Sequence, residues 1–355
     1  MKIRIFLISL IILICGVAVF PAGASGTDKL KGYRAQKKDV SVSGLSSGAF
    51  MTAQLHVAYS GLFDKGAGII AGGPYFCVGS YEDDPSLYLF QATSTCMSPA
   101  SASSAPDGKG LFKKAQGFAK QHLIDPLTNL KDDRIYLFSG SNDKTVNTWV
   151  VDQVFEFYRA AGVPSAHILY EKNINAGHAI IVEDTRTPCP ETAPPFVNDC
   201  DFEQSQKILQ FIYGDLKPPA ADGSLSGRII RFDQSEFVSS ERASMDDDAY
   251  VYVPKECEDG GCRIHVVIHG CDQGARTIGD TYYGHTGYNE IADTNRIIVL
   301  YPQAVPSEDA PFNPKGCWDF WGYSSEDPSA PVFYTKASPQ MKAIVGMVKR
   351  LQSNE

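Results

Sequence analysis

Val42-Ser43-Gly44-Leu45-Ser46-Ser47-Gly48 is the stretch from which this chain is read. Upstream, Lys38 to Ser43 alternates as a strand does, with Val40 and Val42 on one face. Downstream, Phe50 to Tyr59 is patterned as a helix, with Met51, Leu55 and Ala58 at helical spacing. A sharp strand-to-helix turn crowds its central residue, and small residues two positions to either side relieve the crowding. Of Ser43, Ser46 and Ser47, only Ser46 has Gly on both sides at that distance. Ser46 is therefore the candidate nucleophile. The competing reading is a tight turn that needs Gly only for its backbone freedom, and the strand–turn–helix context favours the nucleophile.

A serine hydroxyl is a poor nucleophile unless a base lies within hydrogen-bond reach. Among seven histidines, His178 follows the strand His167 to Tyr170 in the small-residue loop Asn175-Ala176-Gly177-His178, where an imidazole can be presented. His56 and His122 fall on predicted helices, as surface or packing residues. His167 and His265 fall on predicted strands, as structural residues. His265 and His269 are four apart, but on a strand with no Glu between them, so they do not form a helical zinc pair. A third group must orient the imidazole and stabilise its cation. Asp143 sits in the polar turn after the strand Arg134 to Phe138, with a turn former or helix N-cap as its plainer role. Asp132 and Asp133 precede that strand and belong at its other end, and Asp152 is on a helix. Ser46, Asp143 and His178 follow the chain order of an α/β-hydrolase.

A tetrahedral intermediate needs two backbone N–H donors. One is expected from Ser47, the residue after the nucleophile. The other is expected from Cys271, in His269-Gly270-Cys271 at the end of an apolar predicted strand. In an ordinary α/β-hydrolase this second loop precedes the nucleophile elbow, whereas here it follows by more than two hundred residues. The expected fold is a single-domain α/β-hydrolase whose chain order is circularly permuted, with a mostly parallel sheet covered by helices on both faces. The permutation joint is expected around residues 214–227, a stretch rich in Pro, Ala, Gly and Ser.

The chain has 355 residues and a formal net charge of −9. Lys2, Arg4, an apolar run from Ile5 to Phe20 and Ala22-Gly23-Ala24 read as a secretory signal peptide spanning residues 1–24. The apolar run is shorter than the roughly 20 residues needed to cross a bilayer, and Ile14 is too large to precede a lipidated Cys15. Losing Lys2 and Arg4 makes the remainder, residues 25–355, still more acidic, which argues against nucleic acid or anionic membranes as partners. Export permits disulfides. Of nine cysteines, Cys15 leaves with the leader. Sequence proximity pairs Cys77 with Cys96, Cys189 with Cys200, and Cys257 with Cys262, leaving Cys271 for Cys317. No C-x-x-C pair suggests a metal site. A Cys271–Cys317 bridge would hold the oxyanion loop beside Trp318, which either lines the acyl pocket or simply packs in the core.

Further strands are expected at Gly66 to Ala71, Arg228 to Phe232, Ala249 to Val253, Arg263 to His269 and Arg296 to Tyr301. Further helices are expected at Gly110 to Leu123, Thr148 to Ala161 and Ser205 to Tyr213, in a stretch ending with Glu290 to Asn295, and at Pro339 to Leu351.

Together these residues resemble the polyhydroxybutyrate depolymerase and esterase family. The resemblance rests on the elbow, on Met51-Thr52-Ala53-Gln54-Leu55, Ala71-Gly72-Gly73-Pro74-Tyr75, Val267-Ile268-His269-Gly270-Cys271-Asp272-Gln273, Tyr301-Pro302-Gln303 and Gly316-Cys317-Trp318-Asp319. It covers nearly the whole chain after the leader and is closest in arrangement to the circularly permuted members. It implies a secreted or periplasmic serine esterase that cuts a 3-hydroxybutyrate polyester through an acyl-enzyme. Ser46, Asp143 and His178 would form the triad, Ser47 and Cys271 the oxyanion donors, and Trp318 would lie beside the site. No cofactor is implied, and a monomer is expected. Many secreted members carry a linker and a separate polymer-binding domain, for which this chain has no room, so adsorption would fall to an apolar rim around the site. The alternatives are an esterase for feruloyl, acetyl or small esters, and a catalytically dead granule-binding relative.

Overall fold

The computed structural model describes residues 27–81, 83–183, 185–221 and 223–355, so the expected leader, residues 1–24, lies outside the described residues. The strands are β1 (Val40–Leu45), β2 (Gly66–Ile70), β3 (Arg134–Phe138), β4 (Ile168–Glu171), β5 (Ile180–Val182), β6 (Val197–Asp199), β7 (Arg228–Asp233), β8 (Asp248–Val253), β9 (Arg263–Ile268) and β10 (Ile297–Tyr301). The helices are α1 (Ser47–Ala58), α2 (Tyr88–Thr93), α3 (Gly108–Lys120), α4 (Thr148–Ala160), α5 (Gln204–Tyr213), α6 (Ala275–Ile278), α7 (Thr281–Gly284), α8 (Tyr288–Asp293) and α9 (Pro339–Leu351).

Eight strands form one sheet in the order β4-β3-β2-β1-β9-β10-β8-β7, and β5 and β6 form a small separate pair. From β4 through β10 the pairings are parallel, while β8 runs antiparallel to both neighbours. The fold is thus a single α/β unit. Consecutive strand residues point to opposite faces. In β2, Gly68 faces Ile208 of α5, while Ile69 lies beside Gly72 and Ala49 of α1, so the two helices cover opposite faces. Cover on both faces explains why the central strands are continuous apolar runs: every residue of β1, β2 and β10 is buried.

Most expected elements are found within two or three residues of their expected ends. Three departures have clear physical causes. β1 begins at Val40 and runs on to Leu45, abutting Ser46, because its partner β9 continues alongside to Ile268. α1 begins at Ser47 and is buried all round instead of along one stripe. The sheet covers one side of it, and the C-terminal segment covers the other through a Phe50–Phe320 stack and a bond from Gln54 Nε2 to the Asp319 carbonyl. Finally, α2 and the β5–β6 pair carry no strong periodicity, and each is tied by a disulfide, Cys77–Cys96 and Cys189–Cys200 respectively.

Residues 32–35 hydrogen-bond to residues 351–355 through Gly32, Tyr33, Arg34 and Ala35. The two ends of the described chain therefore lie side by side.

Candidate active site

Parallel strands gather their carboxyl ends on one rim, the usual place for a ligand in an open α/β sheet. Ser46 leaves β1 there with φ 57 and ψ −122, the strained conformation of a nucleophile elbow. The flanking glycines are steric necessities. A Cβ on Gly44 would approach the Ile268 carbonyl oxygen to 2.7 Å, and one on Gly48 would collide with the Ile268 and His269 carbonyls. The elbow is therefore pressed against the end of β9. The Ser46 N–H donates to the Ile70 carbonyl at 3.0 Å, which ties the turn to β2 as well.

Asp143 follows β3 and His178 follows β4. Asp143 Oδ2 bonds His178 Nδ1 at 2.8 Å, and Asp143 Oδ1 accepts from the Thr145 and Val146 N–H groups at 2.8 and 2.9 Å. Both side chains are almost wholly buried. The turn and the histidine loop are laced together by Ser141 N–H to the Ile174 carbonyl and Asn142 N–H to the Ala176 carbonyl. Gly177 passes so close to Glu191 that a Cβ would overlap its carbonyl. Ser46 Oγ makes no hydrogen bond to the ring among the described residues, and catalytic bonds of this kind commonly tighten only with substrate.

Ser46 and His178 line one cavity of about 510 Å³. Its walls are mainly apolar, with Leu89, Met97, Phe196, Phe320 and Trp321, and its carboxylate and ammonium groups are those of Asp272 and Lys315. Gly270 and Cys271 line the same cavity. Neither the Ser47 N–H nor the Cys271 N–H donates to a protein acceptor among the described residues. The loop after β9 is braced three ways: the Cys271–Cys317 disulfide, the Asp272 N–H to the Lys315 carbonyl at 2.7 Å, and a Lys315–Asp272 ion pair at 2.8 Å. Cys257–Cys262 is the fourth disulfide.

Trp318 does not line this cavity. It is fully buried and packs on His269, with ring centroids 5.4 Å apart, while Trp321 and Phe320 take the place expected of it. The cause is the fully buried Asp319 carboxylate, which accepts from the Trp321, Gly322, Tyr323 and Ser324 N–H groups and wraps the chain around itself, turning Trp321 outward.

The other histidines are elsewhere. His265, on β9, is buried between Ser41 and Ser43, bonding their hydroxyls at 2.6 and 2.8 Å, and burial pushes it down to about 3. His56 is a packing residue and not a surface one, joined to Asp133 at 3.0 Å and Tyr158 at 2.8 Å. His122 lies beyond the end of α3 with φ 59 and is exposed, and His167 lies in a 3-10 turn instead of a strand. His269 lies just beyond the end of β9. Sequence reasoning also missed Gln273, whose Oε1 accepts from the Gly270 N–H at 2.7 Å and whose Nε2 donates to the Pro195 and Phe196 carbonyls. It was visible only as part of a motif, with no local signal of its role.

No protein-family model matches the chain. It is 39% identical over 344 residues to a poly(3-hydroxybutyrate) depolymerase of Delftia acidovorans, covering 96% of this chain and 64% of that one. This chain thus spans under two thirds of that relative's length. It is 34% identical over 339 residues to a polyhydroxybutyrate depolymerase of Talaromyces funiculosus, covering 91% of this chain and 92% of that one. A crystal structure of PHB depolymerase from Penicillium funiculosum superposes with a TM-score of 0.81 at 31% identity, covering 92% of this chain and 99% of that one. A serine-to-alanine PHB depolymerase in complex with an R3HB trimer superposes at 0.80, with the same identity and coverage.

Proposed function

Because the chain belongs to the polyhydroxybutyrate depolymerase family, we propose that it hydrolyses the ester bonds of poly(3-hydroxybutyrate) through an acyl-enzyme on Ser46. The observation that carries this reading is one apolar cavity with Ser46 and His178 in its wall and the Asp143 carboxylate on the ring nitrogen behind. His178 Nε2 takes the Ser46 proton as Oγ adds to the ester carbonyl carbon. The Ser47 and Cys271 N–H groups hold the resulting oxyanion. Collapse expels the alcohol end of the chain, which receives the proton from His178. Water, deprotonated by the same ring, then attacks the acyl carbonyl carbon, and collapse breaks the bond to Ser46 Oγ, which takes the proton back from His178 as the carboxylic acid leaves. Asp143 keeps the ring in the Nδ1–H tautomer and stabilises the imidazolium.

A 3-hydroxybutyrate repeat has a methyl branch and no charge, which suits walls of Leu, Met, Phe and Trp. Leu89, in the cavity wall, and Phe90 and Phe312, beyond it, are strongly exposed. Leu89 and Phe312 share a groove with Pro311, Pro328 and Trp321 that adjoins the catalytic cavity. This apolar rim is the surface we assign to polymer adsorption.

Residues 1–24 act as a cleavable leader, and the mature chain, residues 25–355, works as a monomeric catalytic unit in the periplasm or outside the cell. Four disulfides favour an oxidising compartment. The chain order is a circular permutation joined at 214–227. Two features support this: β1 lies directly beside β9, so the nucleophile and the late oxyanion loop are neighbours, and residues 32–35 lie alongside residues 351–355.

The test is the turbidity of a poly(3-hydroxybutyrate) granule suspension, with Ser46→Ala alongside. Clearing by the natural protein alone is expected. If neither protein clears granules while the natural one splits an aryl ester, the substrate is a small or polysaccharide-linked ester instead.

A further inference from the structure

The Cys271 N–H belongs to the peptide that joins it to Gly270, and that peptide is trans. In a trans peptide the C=O and the N–H point in opposite directions. Whatever fixes the Gly270 carbonyl therefore aims the Cys271 N–H. The carbonyl is held by His269 Nδ1 at 2.7 Å, and the other ring nitrogen, Nε2, lies 3.1 Å from the Ala304 N–H.

These two contacts fix the ring's protonation. A backbone N–H can only donate, so Nε2 must be the bare nitrogen. A carbonyl can only accept, so Nδ1 must carry the proton. The ring is completely buried, and burial pushes it down to about 4, so this neutral form holds at neutral pH. His269 is absent from the cavity wall, whereas Gly270 and Cys271 are part of it. The carbonyl thus points inward to the ring, and the N–H points outward to the cavity. Trp318 and Tyr282 pack on the ring and hold it in place. Gly270 itself leaves little room for a side chain, since a Cβ would come within 2.8 Å of Gln273 Oε1 and 3.3 Å of the Leu45 carbonyl oxygen and Ser46 Cβ.

We propose that His269 is the positioning residue of the oxyanion hole: its Nδ1–H anchors the Gly270 carbonyl and so directs the Cys271 N–H at the developing oxyanion. This rests on the serine esterase reading above. It gives the late His-Gly-Cys motif a division of labour, with His to aim, Gly to leave room and Cys to donate.

The test compares His269→Leu, which removes both bonds, with His269→Gln, whose amide can donate to Gly270 and accept from Ala304. Rates on p-nitrophenyl butyrate are normalised to sites titrated with a serine-directed phosphonate, so that misfolded protein is not counted. His269→Leu should lower kcat per site by roughly 10²–10³-fold with little change in KM, the cost of losing an oxyanion donor. The inhibition constant of phenylboronic acid, whose serine adduct is tetrahedral, should rise by a similar factor, and His269→Gln should recover most of both. A purely structural role would lower the titrated fraction and the melting temperature without changing kcat per site or boronate affinity, and that result overturns the proposal. The ring ¹⁵N shifts of His269 in the natural protein give a second test that needs no variant. A protonated Nδ1 and a bare Nε2 are expected at pH 7, and the opposite tautomer or a doubly protonated ring overturns the proposal. Ser46→Ala that still hydrolyses the ester would instead sink the underlying reading.

Discussion

Ser46 and His178 face an apolar cavity at the carboxyl ends of their strands, whereas Ser41, Ser43 and His265 meet inside the sheet, out of reach of solvent. The residue types are the same, and three differences separate the clusters. His178 has a carboxylate on its far nitrogen, while His265 has a hydroxyl on each side. Ser46 stands on a strained turn, while Ser41 and Ser43 lie within β1. The inner cluster is also a chain of bonds with one allowed direction. The Tyr213 hydroxyl lies 3.1 and 3.2 Å from the Asp39 and Ile264 carbonyls, so it donates to them. Ser41 then donates to Tyr213, His265 Nδ1–H to Ser41, Ser43 to His265 Nε2, and Tyr288 to Ser43. Every proton is committed, and the cluster works as a rivet between β1 and β9. A third histidine, His56, has its carboxylate in Asp133 but no serine.

The sharpest break in the comparison should come from paired serine variants. Ser46→Ala should cut turnover by a factor on the order of 10⁶ with the melting temperature unchanged. Ser43→Ala should keep turnover near that of the natural protein and lose about 1–3 kcal/mol of stability in denaturant titration, because Tyr288 and His265 each lose a buried partner. Comparable losses of turnover in both would mean that the inner cluster takes part in the chemistry. Next in size, Asp143→Asn should lower kcat by about 10⁴-fold by admitting the wrong tautomer, whereas Asp133→Asn should move the melting temperature and leave kcat alone. Removing the Cys271–Cys317 bridge by double serine substitution opens a loop of 46 residues and should cost about 4 kcal/mol in guanidinium unfolding.

The smallest effect concerns pH. His265 and His269 are held at about 3 and about 4, below the ordinary 6.5. Both are therefore neutral in the folded state while the unfolded chain takes up their protons. Their contribution to stability is complete above about pH 6.5 and is lost as pH falls toward the folded values. Melting temperature measured from pH 7 to 4 should drop less steeply for His265→Gln than for the natural protein.

Much of this was legible in sequence because it is local. The elbow announces itself in seven residues, Asp143 and His178 follow recognisable strands, and β3 and α9 fall at their expected limits. What stayed hidden depends on contacts between distant segments. Trp318 and Trp321 stand in one loop, and only the wrapping of that loop around Asp319 decides which one reaches the cavity. α1 has an apolar stripe in sequence, and nothing local says that the C-terminal segment will cover its other side. Gln273 links the oxyanion loop to Pro195 and Phe196, a partnership with no spacing to betray it.

The pairing of β1 with β9 also sets a schedule. Ser41 and His265 are separated by 224 residues, so the strand that leads into Ser46 leaves the ribosome long before the strand that lies beside it. Closing so long a loop costs entropy before any contact repays it. Until β9 arrives, β1 has an open edge, the glycines beside Ser46 have nothing to press against, and Cys271, the proposed second oxyanion donor, does not exist. On the proposed reading, Ser46 is therefore inert in any chain too short to contain β9, and activity is among the last properties that this polypeptide acquires.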